Sequence, residues 1–209
     1  MKESTVYVVG SQAIYGSFPD LDLGIVLASK DIDVFTVPYY ESWWLPVVER
    51  FGSDSDFDLE RGYYVDMVKP DLPRLPNGWK ERAVRRTIGT IDIDGRAAEV
   101  VAVFPEAHDL AASKIAIGQA QDAEFLAGLA QRGLLDRSVL EERLASAPRM
   151  DAARLDESRK RVREAFEHAV TEKIWTSSLF RELLPPRGRD RRAPGRSGSP
   201  SSVPSSVRR

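Results

Sequence analysis

The sequence predicts an α/β chain in which strands and helices mix through the first half and helices alone fill the second. Three observations carry this reading. Short apolar runs at residues 6–9, 32–37 and 62–68 stop at glycine, proline or charge, as short buried strands do. Asp94-Gly95 supplies a hairpin turn between two further β-like runs, residues 84–93 and 99–104. After Pro105 the apolar residues recur at spacings of three and four, the period of a helix.

The elements follow in order. Residues 6–9 form a buried strand ending at Gly10-Ser11, and residues 11–15 open a helix that Gly16 to Asp20 breaks. Residues 21–28 are apolar at mixed spacing and lead to the strand at 32–37, which Pro38 ends. Residues 41–51 carry Trp44, Leu45, Val47, Val48 and Phe51 at amphipathic spacing despite Pro46, and Gly52 suits the helix end. Residues 53–60 are acidic and turn-rich, and residues 70–78 are a proline-rich connection. In the second half, helices are expected over the run from Glu106 to Gly118, from Asp122 to a stop at Gly133, from an Asp136 cap through Leu144, and over 151–170. That last one carries Leu155, Val162 and Phe166 on one stripe. A further helical segment, 171–184, has Trp175, Leu179 and Phe180 as anchors.

Composition bounds the function. The 209 residues admit one domain with an appendage or two small ones, and 42% hydrophobic residues suffice for a core. Residues 185–209 hold seven arginines and one aspartate; that balance of +6, within a chain of net charge −2, leaves −8 on the 184 residues before it. An acidic body is unlike a non-specific nucleic-acid binder. The absence of cysteine removes disulfide and thiolate chemistry, and His108 and His168 alone leave little for a zinc site. No leader pattern and no apolar stretch of membrane-spanning length occur, so a cytoplasmic protein without membrane contact is expected. The expected organisation is an α/β core at 1–105, a helical part at 106–184 that completes the site, and a basic tail at 185–209. That tail is too poor in apolar residues to offset its ordering entropy.

The chemistry centres on Ser29-Lys30-Asp31-Ile32-Asp33-Val34. If Ile32 and Val34 face a core, strand alternation puts Asp31 and Asp33 together on the other face. Two like charges held so close are best tolerated beside a divalent cation, which makes them candidate metal ligands. The Gly10-Ser11 break offers backbone N–H groups for phosphate oxygens. Asp-x-Asp is common, and it recurs here at 20–22, 54–56, 56–58 and 92–94, where a solvated turn or strand end is the ordinary reading. Asp66, inside an aromatic and apolar run, is either a solvent-facing strand residue or a third metal or base carboxylate. Lys114, among alanines and isoleucines, is either a snorkelling surface cation or a fixed charge for a triphosphate. Asp122 follows at i+8, a spacing that could share a helical face with it.

Taken together, Gly10-Ser11, Ser29-Lys30-Asp31-Ile32-Asp33, Leu75-Pro76-Asn77-Gly78-Trp79 through Arg82, Asp109 through Lys114, and Gln121 through Phe125 resemble an uncharacterised bacterial branch of the nucleotidyltransferase superfamily. That branch is similar to the toxins of abortive-infection type E systems and their mycobacterial relatives, and the resemblance spans roughly residues 6–148. It implies a polymerase-β-like nucleotidyltransferase fold, a small mixed sheet with flanking helices followed by a helical part. It implies Mg²⁺ held by Asp31 and Asp33, catalytic roles for those two with Lys114 and Asp122, and nucleotide contacts from Gly10, Ser11, Ser29 and Lys114; Asp66 joins the catalytic candidates from its own strand position, not from the resemblance. The implied reaction moves a nucleoside monophosphate from a nucleoside triphosphate to a hydroxyl acceptor. In the toxin relatives that acceptor is a tRNA 3′ end, and a cognate antitoxin is the implied partner. The chain departs from the pattern at Gln119-Ala120-Gln121, where relatives commonly carry basic residues, and in the long gap from Gly10 to Asp31. Two other readings follow: a catalytically weakened domain that acts by binding a regulatory partner, and an RNA-binding module that uses the arginine tail.

Overall fold

The computed structural model describes residues 2–20, 29–93, 95–119 and 122–183. The expectations for residues 21–28, for Asp94, for Ala120 and Gln121, and for the tail beyond Leu183 lie outside them, as do the side chains of Trp175, Leu179 and Phe180.

Five strands, β1 (Lys2–Val9), β2 (Asp31–Phe35), β3 (Tyr64–Met67), β4 (Val84–Ile93) and β5 (Arg96–Phe104), form one sheet in the order β3-β2-β1-β5-β4. β1 runs antiparallel to β2 and parallel to β5, β2 is parallel to β3, and β4 is antiparallel to β5. The sheet is therefore mixed, as expected. β1 starts four residues before the apolar run, because Lys2 to Thr5 pair with Ala98 to Val101.

Helices flank the sheet: α1 (Ile14–Ser17), α2 (Trp44–Phe51), α3 (Asp56–Arg61), α4 (Trp79–Arg82), α5 (Ala107–Ile117), α6 (Asp122–Gln131), α7 (Arg137–Ala145) and α8 (Ala152–Leu183). Pro46 is harmless because it sits in the first turn of α2, where backbone N–H groups have no intrahelical partner in any case. The acidic stretch read as turn contains α3. Ser55 caps it by accepting from the Asp58 N–H, and Gly62, at φ 75°, ends it in the left-handed conformation. Six residues are too few for the apolar period to register. α8 runs unbroken across the join expected near residue 170 and is about 48 Å long at a rise of 1.5 Å per residue. No helix among the described residues is long and apolar enough to cross a membrane.

α5 is the central helix. Ala107, Leu110, Ala111, Ala112 and Ile115 are buried around its circumference, and they join a core with Val8, Ile14 and Ala102 from the first half and Leu129, Leu140, Leu144 and Val162 from the second. Asp109 and Ser113 are buried too, so the helix is enclosed by neighbours around most of its circumference. Ser158, Val162, Ala165 and Ala169 form the buried stripe of α8, which packs on α6.

One buried charge sits within this packing. Asp109 of α5 is 0% exposed, and Arg82 grips it with two parallel bonds, Nε to Oδ2 at 2.9 Å and Nη2 to Oδ1 at 2.7 Å. Arg143 of α7 adds its Nε at 3.5 Å. His108 extends the tie: its Nε2 accepts the Asp136 backbone N–H at 2.8 Å, which leaves Nδ1 to donate to Glu106 at 2.8 Å. Removing one partner of a buried pair strands the other charge. Arg82→Met is therefore expected to cost about 3 kcal/mol in urea unfolding, and Arg82→Met with Asp109→Leu to cost less than the single change.

Candidate active site

β2 alternates as its sequence implies. Ile32 and Val34 pack against the main core, while Phe35 joins the opposite cluster with Val9 and Val68, so Asp31 and Asp33 share that second face. The ladder adds a third carboxylate. Asp33 is the register partner of Asp66 on β3, and partners in a ladder project to the same side. On its other flank Asp33 pairs with Val9, the last residue of β1, so the chain turns at Gly10 beside it.

Gly10 is required there on two counts. Its backbone lies at φ 68°, ψ −170°, a region open in practice only to glycine. A Cβ on it would fall 1.9 Å from Asp33 Oδ2. The helix expected after it is a 3-10 turn, Ser11–Ala13, followed by the single turn of α1. Gln12, which no motif or spacing singles out, donates from Nε2 to the Ser29 carbonyl, and the Ser29 hydroxyl donates to Asp31 Oδ1. Ser29 thus orients one carboxylate, and Gln12 anchors Ser29.

Lys114 and Asp122 also meet, though by a different route from a shared helical face. Gly118, at φ 78°, ends α5, and Asp122 opens α6. Lys114 Nζ then reaches Asp122 Oδ1 at 2.9 Å, with side chains 12% and 5% exposed, and sits 5.0 Å from the centre of the Phe125 ring. Asp122 Oδ2 accepts from the Gln119 N–H at 3.2 Å. Gly10, Asp33, Lys114 and Asp122 line one cleft of about 130 Å³, walled by Leu72, Leu75 and Ser113. Asp31, Ser11 and Ser29 stand outside its wall, and Asp66 faces an adjoining hollow with Trp44, Lys69 and Arg74.

The electrostatics follow from this crowding. Burial pushes the Asp33 carboxyl up to about 6, the charges of Asp31 and Asp66 push the same way, and Lys114 opposes them. Burial and Asp31 also raise Asp66. Among the described residues no group of three or more His, Cys, Asp or Glu side chains is placed to hold a metal. Mg²⁺ does not need such a cage, since it is commonly bound through one or two carboxylates together with water and substrate phosphates. Asp31 and Asp33, on one sheet face with Asp33 at the cleft, fit that mode.

Two outcomes are expected. Gly10→Ala should lower stability by about 1–3 kcal/mol in chemical denaturation, because its strained backbone has no room for a methyl group. For Asp33, the folded state holds its proton more tightly than the unfolded chain, whose carboxyl titrates near 3.8. Its contribution to stability should therefore fall as pH rises from about 4 to about 6 and level off above. Unfolding midpoints of wild type and Asp33→Asn across that window should show the variant gaining relative to wild type as pH rises.

A family model described as nucleotidyltransferase of unknown function (DUF6036) matches residues 1–173. No curated protein and no solved structure matches the chain. With most of its length covered, and with a mixed sheet that sets its carboxylates beside a glycine bend, the chain belongs to the DUF6036 family of nucleotidyltransferases of unknown function.

Proposed function

We propose that the protein is a Mg²⁺-dependent nucleotidyltransferase that moves a nucleoside monophosphate from a nucleoside triphosphate to a hydroxyl acceptor. One observation carries the reading: Asp31, Asp33 and Asp66 share a sheet face, and Asp33 lines a cleft with Gly10 and the Lys114–Asp122 pair. Asp31 and Asp33 would hold the cation, which would neutralise phosphate charge and help align the reacting oxygens. Asp66, with its raised proton affinity, would take the proton of the acceptor hydroxyl. The acceptor oxygen forms a bond to the α-phosphorus, the bond from that phosphorus to the bridging oxygen breaks, and pyrophosphate departs. Lys114, held by Asp122, supplies positive charge for the phosphates, and backbone N–H groups at the Gly10–Ser11 bend would meet phosphate oxygens. An RNA 3′ end such as that of tRNA is the acceptor class we propose, with a toxin-like role and a cognate antitoxin as its regulatory partner.

Incubation with each labelled nucleoside triphosphate, Mg²⁺ and tRNA or total RNA should label the RNA. Asp33→Asn should cut the rate by about a hundredfold or more, the scale of losing a charge-stabilising group. EDTA should abolish labelling. A second reading has a specific observation behind it: the Lys114 ammonium is already engaged by Asp122 and Phe125. A weakened domain that binds a regulatory partner would bind no nucleotide in calorimetry with Mg²⁺.

A further inference from the structure

The cleft at Gly10 is too small for a whole nucleoside triphosphate. Its volume of about 130 Å³ is well below the roughly 300–1,000 Å³ that sites for drug-sized ligands occupy. A second hollow, of about 540 Å³, lies between the corner joining α5 to α6 and the face of α8. Lys114, Gln119 and Asp122 line both, so the two spaces meet at the Lys114–Asp122 pair. The floor of the second is apolar, built from Ile115, Leu126 and Ala165. Its rim on α8 is polar: Arg161, Glu164 and His168 follow at i, i+3 and i+7 along one side of the helix. An apolar floor with a few polar groups at the edge suits a flat heterocycle with hydrogen-bonding edges.

Arg161 is held at this rim by the glycine that ends α5. A Cβ on Gly118 would lie 2.0 Å from Arg161 Nη1, so the guanidinium rests against bare backbone. Glu157 pairs with Arg161 Nε at 3.4 Å, and Arg161 is among the residues that line the hollow.

We propose that this second hollow is the nucleoside subsite, with Arg161 and His168 meeting the base and ribose while the phosphates run past Lys114 to the cleft at Asp33. The assignment rests on the nucleotidyltransferase reading and adds where the base is recognised and by which residues. α8 then brings Arg161 and His168 to the base end of the nucleotide, away from the phosphates.

The test compares ATP, GTP, CTP and UTP with inorganic tripolyphosphate, all with Mg²⁺, on the full chain. The preferred nucleotide should lose about tenfold or more in affinity on Arg161→Ala, His168→Ala or the space-filling Ala123→Trp, while tripolyphosphate affinity stays within about twofold. The chain's two histidines give a measurement that needs no variant. The preferred nucleotide should shift the His168 ring signals and leave those of His108 in place, and tripolyphosphate should shift neither. Wild type that binds no triphosphate overturns both the subsite and the enzymatic reading. Wild type that binds a nucleotide without moving His168, or variants that bind it normally or weaken both ligands alike, overturn the subsite and leave the enzymatic reading standing.

Discussion

The arrangement depends first on the Asp109 carboxylate, fully enclosed at the heart of the helical layer. Asp109 has no access to water, and a lone charge there would carry a cost of several kcal/mol. The two-pronged grip of Arg82 offsets that cost and fixes direction, since a planar fork accepts a carboxylate in few orientations. Arg82 comes from the segment leading into β4, Arg143 from α7, and Asp109 from α5, so one cluster joins three elements. α5 is thereby set at a fixed rotation, and Lys114, five residues further on, comes to the cleft instead of to open surface.

Against that fixed frame the acidic side of the cleft is under electrostatic tension. Three carboxylates on adjacent strands repel, and part burial prevents water from screening them fully. Their packing is dictated by hydrogen-bonded register, which leaves them little freedom to move apart. The compensation nearest to hand is Lys114, but its shortest bond goes to Asp122. A surplus of negative charge therefore remains along Asp31, Asp33 and Asp66. Folding tolerates it because the strands beneath are secured elsewhere, by the stacked rings of Tyr7 and Phe35 at 4.8 Å and by the Asp109 cluster. This is the pattern expected where stability is given up locally for chemistry.

How much of this was legible in the sequence depended on range. The shared face of Asp31 and Asp33 could be read directly, because Ile32 and Val34 declare which side is core. The side on which Asp66 projects needed the register of β2 on β3, which no local pattern encodes. The i+8 spacing of Lys114 and Asp122 suggests a shared helical face, yet they meet because Gly118 ends the helix between them. Gln12 reaches Ser29 across seventeen residues, and Arg82 reaches Asp109 across twenty-seven. Such contacts are fixed by tertiary packing and leave no periodic trace. α3 escaped for the opposite reason, being too short for periodicity although its cap and its terminal glycine were both in view.

The parallel register of β2 on β3 also carries an evolutionary consequence. Ladder pairing, and not chain length, brings Asp66 alongside Asp33, so the segment from Thr36 to Tyr63 is free to grow or shrink without disturbing the acidic face. Within β3 itself the opposite holds. An insertion or deletion of one residue there would turn Asp66 toward the core and bring Val65 or Met67 to its place. Lineages that keep the chemistry should confine their gaps to that connection and keep the four-residue strand unbroken.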